Sequence, residues 1–448
     1  MRNADAATDG LRLRALDGLR FIAAFAVVAF HFTGRDSPGW DESVSEVFPR
    51  LSAITVYGGF GPYLFFMISG FVILMSAWGR SMPSFIASRI GRLYPAYWAA
   101  VVIIAIVLWI FPIMKHWEGL GLEGVLVNLT MFQTAFGVEH VDGVFWTLWI
   151  ELKFYVLLAL VGLAGGFTRG RMLLFCLAWP LLGAMVGRTP LGIAFLEPTY
   201  APFFCIGIVL YLARRFGWDL PTGLILGVNI VTALWICKEH YIPWSERVAG
   251  VEVTMGTLTL VMLGCVGAVV LATLTPVARL DWRWLTTAGA LTYPLYLVHE
   301  IPGWVLIQQI SPVLPAYATL AVVTSIVLVA AYAIYRLVEV PFGPRLRRAV
   351  ERDLARIAAP TPVAETPAAA STSFRSGQSI NHLLHGSRDR SWRDEVPLPT
   401  SRASHSRESA QVSEGGAAVP AADLAHVVGR GAGRVGGVGD RAEVAGRR

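Results

Sequence analysis

The feature that most constrains this chain is a succession of long apolar runs. A helix crossing the hydrocarbon core of a bilayer needs about 20 mainly apolar residues, and about ten stretches meet that condition. They are 16–32, 58–78, 94–113, 145–166, 172–187, 199–213, 220–237, 250–273, 285–309 and 315–337. Only 15% of the residues are charged and 55% are hydrophobic. A soluble domain carries roughly a quarter charged residues, so this chain cannot cover a water-facing surface. The expected fold is all-α: a polytopic membrane protein with about ten transmembrane helices. Segment 114–144 is too polar and too glycine-interrupted to span, and is expected to form an external or partly re-entrant cap.

The basic residues set the orientation. One set of connecting segments holds Arg12 and Arg14, Arg80, Arg89 and Arg92, Arg169 and Arg171, Arg214 and Arg215, Arg279 and Arg283, and Arg345, Arg347 and Arg348. The alternate set is richer in acids: Asp36, Asp41, Glu42 and Glu46, then Glu118, Glu123, Glu139 and Asp142. The positive-inside rule puts the first set, and with it both termini, in the cytosol. The formal net charge of +6 is therefore a topology signal rather than a nucleic-acid footprint. The first apolar run ends in a histidine with no small-residue cleavage pattern after it, so it is expected to be a retained span. Two parts follow: a membrane domain over 1–355, and over 356–448 a tail of Ala, Pro, Ser, Gly and Arg. Having too few apolar residues for a core, the tail is expected to be disordered and cytosolic. Cys176, Cys205, Cys237 and Cys265 lie in apolar runs without C-x-x-C spacing. They read as small buried hydrophobes, and no metal site is expected.

Charges within spans are costly and point to function by default. His31 closes the first span and Arg20 lies eleven residues earlier, nearly on the same helical face and roughly 16 Å away along the axis. An interfacial histidine with a snorkelling arginine would give the same pattern. In FWTLWIELKFY, Glu151 and Lys153 point to different faces, whereas Glu151 and Tyr155 share one. An ion pair that merely orients helices is the alternative there. In LTTAGALTYPLYLVHEIPGW, Tyr296 precedes His299 by one turn, and Pro294 and Pro302 interrupt the backbone bonding. The orientation rule carries His31, Glu151 and His299 to similar depth near the outer side, which favours one shared polar site. Arg89 and Arg92, at i and i+3, share a face at the cytosolic side, where paired guanidinium groups suit phosphate oxygens. Positive-inside topology alone would also put arginines there. The H-x4-D pattern from His31 to Asp36, known from glycerolipid acyltransferases, is set aside because the other motifs of that family are absent.

Six stretches in order resemble the acyltransferase 3 family of integral membrane acyltransferases: LRALDGLRFIAAFAVVAFH, LFFMISGFVI, RIGRLYPAYW, FWTLWIELKFY, TYPLYLVHE and RLVEVPFGPRLRR. The resemblance spans roughly 12–348. Phe21, Met67 and Pro294 depart from the commoner residues of the pattern. The resemblance implies His31 as the essential histidine and general base, with Glu151 as the intramembrane acid. It implies Arg20, Arg89 and Arg92 as acyl-donor-binding residues, and Tyr155, Tyr296 and His299 as substrate-site residues. The implied reaction is O-acyl transfer, acetyl first among candidates, from cytosolic acyl-coenzyme A to a hydroxyl of a carbohydrate, lipid-linked glycan or secondary metabolite. Acyl-coenzyme A is then a cosubstrate, with no bound cofactor. The expected partners are membrane lipid, the donor, and a carbohydrate or small-molecule acceptor, in a multi-pass protein of the cell's inner (plasma) membrane. The alternative from another class is a transporter or exporter of a polar solute, which broken helices and intramembrane charges would also fit.

Overall fold

The computed structural model describes residues 13–112, 117–186, 189, 192, 195–250 and 253–358. Among these residues every regular element is helical. The principal helices are α1 (Arg14–Ala29), α2 (Gly61–Ala77), α3 (Met82–Ile110), α4 (Trp117–Asn128), α5 (Trp146–Leu163), α6 (Arg169–Val186) and α7 (Ala201–Phe216). They continue with α8 (Leu220–Ile236), α9 (Met255–Leu274), α10 (Arg283–Val298), α11 (Glu300–Ile310), α12 (Ala316–Ile334) and α13 (Val340–Ala358).

Eight helical segments among the described residues are long and apolar enough to cross a membrane. These are Arg14–Gly34, Pro49–Ala77, Met82–Ile110, Gly143–Leu163, Arg169–Val186, Leu220–Ala249, Met255–Leu274 and Ala316–Ile357. Two of the ten expected spans fall short, each for a physical reason. Helix α7 has 16 residues, about 24 Å of rise, and every residue from Ala201 to Ala213 is buried. It is a core helix enclosed by its neighbours, above all α2, where a methyl on Gly70 or Gly207 would strike the facing backbone at Phe204 or Met67. Such glycine crossings let helices approach closely where lipid offers no hydrophobic drive for association. The ninth run divides at His299 into α10 and α11. Pro302 has no N–H to offer the Val298 carbonyl, so the ladder must stop there.

The opposite departure occurs at the end of the bundle. From Ala316 the helix continues for 42 residues to Ile357, about 63 Å, twice the thickness of a hydrocarbon core. The arginines at 345, 347, 348, 352 and 356 all lie in this extension, which packs against α3. Residues 359–448, where the disordered tail is expected, lie outside the described residues.

Among the described residues three π turns interrupt the helical register, at Phe30–Gly34, Cys237–Tyr241 and Tyr335–Glu339. Such turns are uncommon and concentrate at functional sites. Two of the three carry residues of the clusters described next.

Candidate active site

The π turn after α1 presents His31. It also frees carbonyls that two indoles satisfy: Trp304 Nε1 donates to His31 O at 2.9 Å, and Trp40 Nε1 to Phe32 O at 2.8 Å. His31 Nδ1 lies 2.9 Å from the carbonyl of Val27. A carbonyl only accepts, so the ring hydrogen sits on Nδ1 and the lone pair on Nε2. His299 repeats the arrangement, with Nδ1 2.8 Å from Tyr296 O. Its Nε2 is then an acceptor, and stands 3.0 Å from His31 Nδ1. The two rings meet edge to face at 4.9 Å. Two residues far apart in sequence thus fix one tautomer for the pair.

Acid and base gather on the other side of His31. Glu300 Oε1 is 3.4 Å from His31 Nε2 and 3.5 Å from Arg35 Nη1. Arg35 lies over the Trp304 ring at 5.3 Å. Asp142, fully buried, accepts from the amides of Val144 at 3.1 Å and Ile301 at 3.4 Å, and its carboxyl interacts with that of Glu300. The cap preceding α5 delivers Asp142. There Asn128 bonds the carbonyls of Gly124 and Glu139 and the amide of Val141. Within the cap, His140 bonds Gln133 and Thr134, and burial draws its imidazole down to about 4.

A second cluster lies toward the start of α1 and around Glu151, one turn along α5 from Thr147. Glu151 Oε1 accepts from Tyr155 at 2.6 Å and Ser69 at 2.9 Å. Arg20 interacts electrostatically with Glu151, Asp17, Tyr155 and Arg92. Arg92 donates to both oxygens of Glu339, at 3.0 and 3.1 Å, and covers the Tyr293 ring at 5.6 Å. Arg89 donates to the Ser88 hydroxyl at 3.3 Å, and among the described residues no carboxylate is paired with it. The two clusters connect through Tyr296. Its hydroxyl is 3.0 Å from that of Thr147, one turn above Glu151 on α5, and it lies within electrostatic reach of both Glu300 and Glu151.

A family model described as an acyltransferase domain, that of acyltransferase 3, matches residues 13–336. The chain belongs to the acyltransferase 3 family. An acyltransferase of Streptomyces mycarofaciens, MdmB, is 28% identical over 152 residues, 33% of this chain. The match covers 38% of that relative's length. No solved structure matches.

Within this acyltransferase 3 domain the expected site residues fall into two groups. His31, His299 and Tyr296 stand together at one end, and Arg20, Arg89, Arg92, Glu151 and Tyr155 at the other. Glu151, expected beside the imidazole, has Ser69, Tyr155 and Arg20 as neighbours, and the acid next to His31 is Glu300. Asp36 accepts from Ser43 Oγ and the Val44 amide, a helix-capping role. Sequence reasoning gave no role to Glu300, Arg35 or Asp142. The signal for Glu300 was its place after His299 at the proline-interrupted end of α10. Arg35 and Asp142 sit in connecting segments, where a charge raises no alarm.

Proposed function

We propose that this protein is an O-acyltransferase of the cell's inner membrane. It crosses about ten times, the eight long segments being joined by the buried α7 and the broken α10–α11 pair, with both termini cytosolic. It moves an acyl group, acetyl first among candidates, from cytosolic acyl-coenzyme A to a hydroxyl of a carbohydrate, lipid-linked glycan or secondary metabolite. The observation that carries the reading is the imidazole of His31, held by Val27 and His299 with its Nε2 lone pair free. The name of the related MdmB, an acyltransferase, points the same way.

In this reading the acceptor hydroxyl gives its proton to His31 Nε2 as its oxygen attacks the thioester carbonyl. The carbon–sulfur bond then breaks, and the departing coenzyme A thiolate recovers that proton from the imidazolium. Arg89, with no carboxylate paired to it among the described residues, is the first contact for donor phosphates. Arg92 and Arg20 supply field around it, each already facing an acid. The rise from Arg20 to His31, roughly 16 Å, is a span that the flexible arm of coenzyme A can cover. Tyr296 and His299 stand on the acceptor side with His31, and Tyr155 on the donor side with Glu151.

The test is genetic and chemical. Cells with the gene deleted should lose one acyl ester from a glycan, lipid or secreted metabolite, as read by mass spectrometry of all three fractions. Wild type should restore it and His31→Ala should not. Identical ester profiles with and without the gene would refute the reading.

A further inference from the structure

We propose that Glu300 is the positioning residue that makes His31 a competent base: it receives the imidazolium formed when the acceptor loses its proton. This rests on the reading of His31 as base given above, and adds a partner that the sequence pattern assigned elsewhere.

The geometry is specific. Since Nδ1 of His31 carries the ring hydrogen, Nε2 faces Glu300 Oε1 as one acceptor facing another, at 3.4 Å. Such a pair is satisfied only when a hydrogen lies between them. A proton arriving on Nε2, or a hydroxyl about to give one, supplies it. Glu300 is 3% exposed, and burying a carboxylate costs several kcal/mol unless it is paired. One guanidinium, Arg35, reaches it at 3.5 Å, and only on the oxygen that also faces His31. Glu300 Oε2 is buried and receives no N–H among the described residues, the carboxyl's remaining polar neighbour being that of Asp142, and Arg35 Nε is buried without an acceptor there. Arg35 and Glu300 thus meet through one oxygen at 3.5 Å with Arg35 Nε unused, whereas a purely architectural pair would close as a two-point fork. The site has also been kept open on the far side: a methyl on Gly143 would stand 2.9 Å from Oε2. The charged and titratable groups facing His31 are Glu300 and Arg35, His299, and Asp142 behind Glu300.

The experiment compares Glu300→Gln, Glu300→Asp and His31→Ala at equal protein level in membranes, with acyl transfer to the native acceptor measured across pH. Glu300→Gln should lower kcat about 100-fold with KM for donor and acceptor nearly unchanged. It should also move the acidic limb of the pH–rate profile to lower pH, because the charge that favours a protonated His31 is gone. Glu300→Asp should restore part of kcat and return the limb toward its wild-type place. An architectural role predicts otherwise: less protein in the membrane and an unmoved limb, with aspartate no better than glutamine. That pattern, or a normal kcat in Glu300→Gln while His31→Ala is inactive, overturns this proposal and leaves the base reading standing. Activity surviving in His31→Ala overturns the base reading itself.

Discussion

The two ends of the polar interior are built on opposite principles. Around His31 the groups hold one another: His299 and Val27 share its Nδ1 hydrogen, Glu300 faces its Nε2, and Asp142 is clamped by two amides. Every ionisable member there except Arg35 is buried. Around Arg89 the guanidinium groups of Arg20, Arg89 and Arg92 are half-buried against the buried Tyr155 and Glu339, and among the described residues no acid is paired with Arg89. A preorganised, closed cluster suits bond-making, where fixed dipoles need not reorganise. An open cationic cluster suits a polyanion that arrives and leaves. The contrast predicts that substitutions at the first end change the rate of chemistry, whereas those at the second change how much donor is needed.

The largest expected effect follows from the first end. His31→Ala should reduce acyl transfer by about 10²–10⁴-fold, the usual contribution of a general base, at any donor concentration. Its side chain touches the Val27 carbonyl, His299 and Glu300, and Arg35 stays with Glu300 when it is removed, so the protein should remain in the membrane, which immunoblotting checks. Next comes Arg89→Gln, which should raise the donor KM by about 10–100-fold, the worth of a charged hydrogen bond, with little change in kcat. Arg92→Gln is a poorer probe of the donor, since it also strands the buried Glu339. A donor KM unchanged in Arg89→Gln would make this arginine an anchor at the interface and erase the contrast.

A smaller effect concerns the cap that carries Asp142 into the first cluster. Folding lowers His140 from an ordinary 6.5 to about 4, so the opened cap binds a proton more readily than the closed one. Cap stability is complete above about 6.5 and is lost progressively as pH falls toward 4. Protection factors of amides between 128 and 142, which are corrected for the intrinsic pH dependence of exchange, should fall over that window, and His140→Gln should flatten the dependence. The smallest effect is expected at the far C-terminus. A stop codon at Pro360 keeps α13 and its arginines, and should leave insertion and acyl transfer near normal. Loss of activity with normal insertion would give the tail a recruiting role.

How legible this was differs between the same two regions. The long spans could be read because apolar runs of bilayer length have few other uses. Helix α7 and the α10–α11 break were less so: burial on all sides and a proline-freed carbonyl are properties of neighbours, not of hydropathy. At the arginine end the shared face of Arg89 and Arg92 was legible from regular α spacing, whereas the pairing of Arg92 with Glu339 and Tyr293 comes from packing between distant helices. The histidine end was visible in part. The π turn at Phe30–Gly34 shifts the register that a 100° helix assumes, and Arg35 and Asp142 enter from loops. Glu151 was assigned by the family resemblance and by depth, and its shared face with Tyr155 was legible from the i, i+4 spacing, whereas its partner Ser69 on α2 is set by packing.

One measurement sets the two ends directly against each other. Acyl transfer to the native acceptor in membrane vesicles is titrated with acyl-coenzyme A for wild type, His31→Ala and Arg89→Gln at matched protein levels. The account predicts that Arg89→Gln approaches the wild-type rate as donor rises, whereas His31→Ala stays silent at saturation. Recovery of His31→Ala by donor, or a saturated rate in Arg89→Gln as low as that of the histidine variant, would contradict the division of labour between the two clusters.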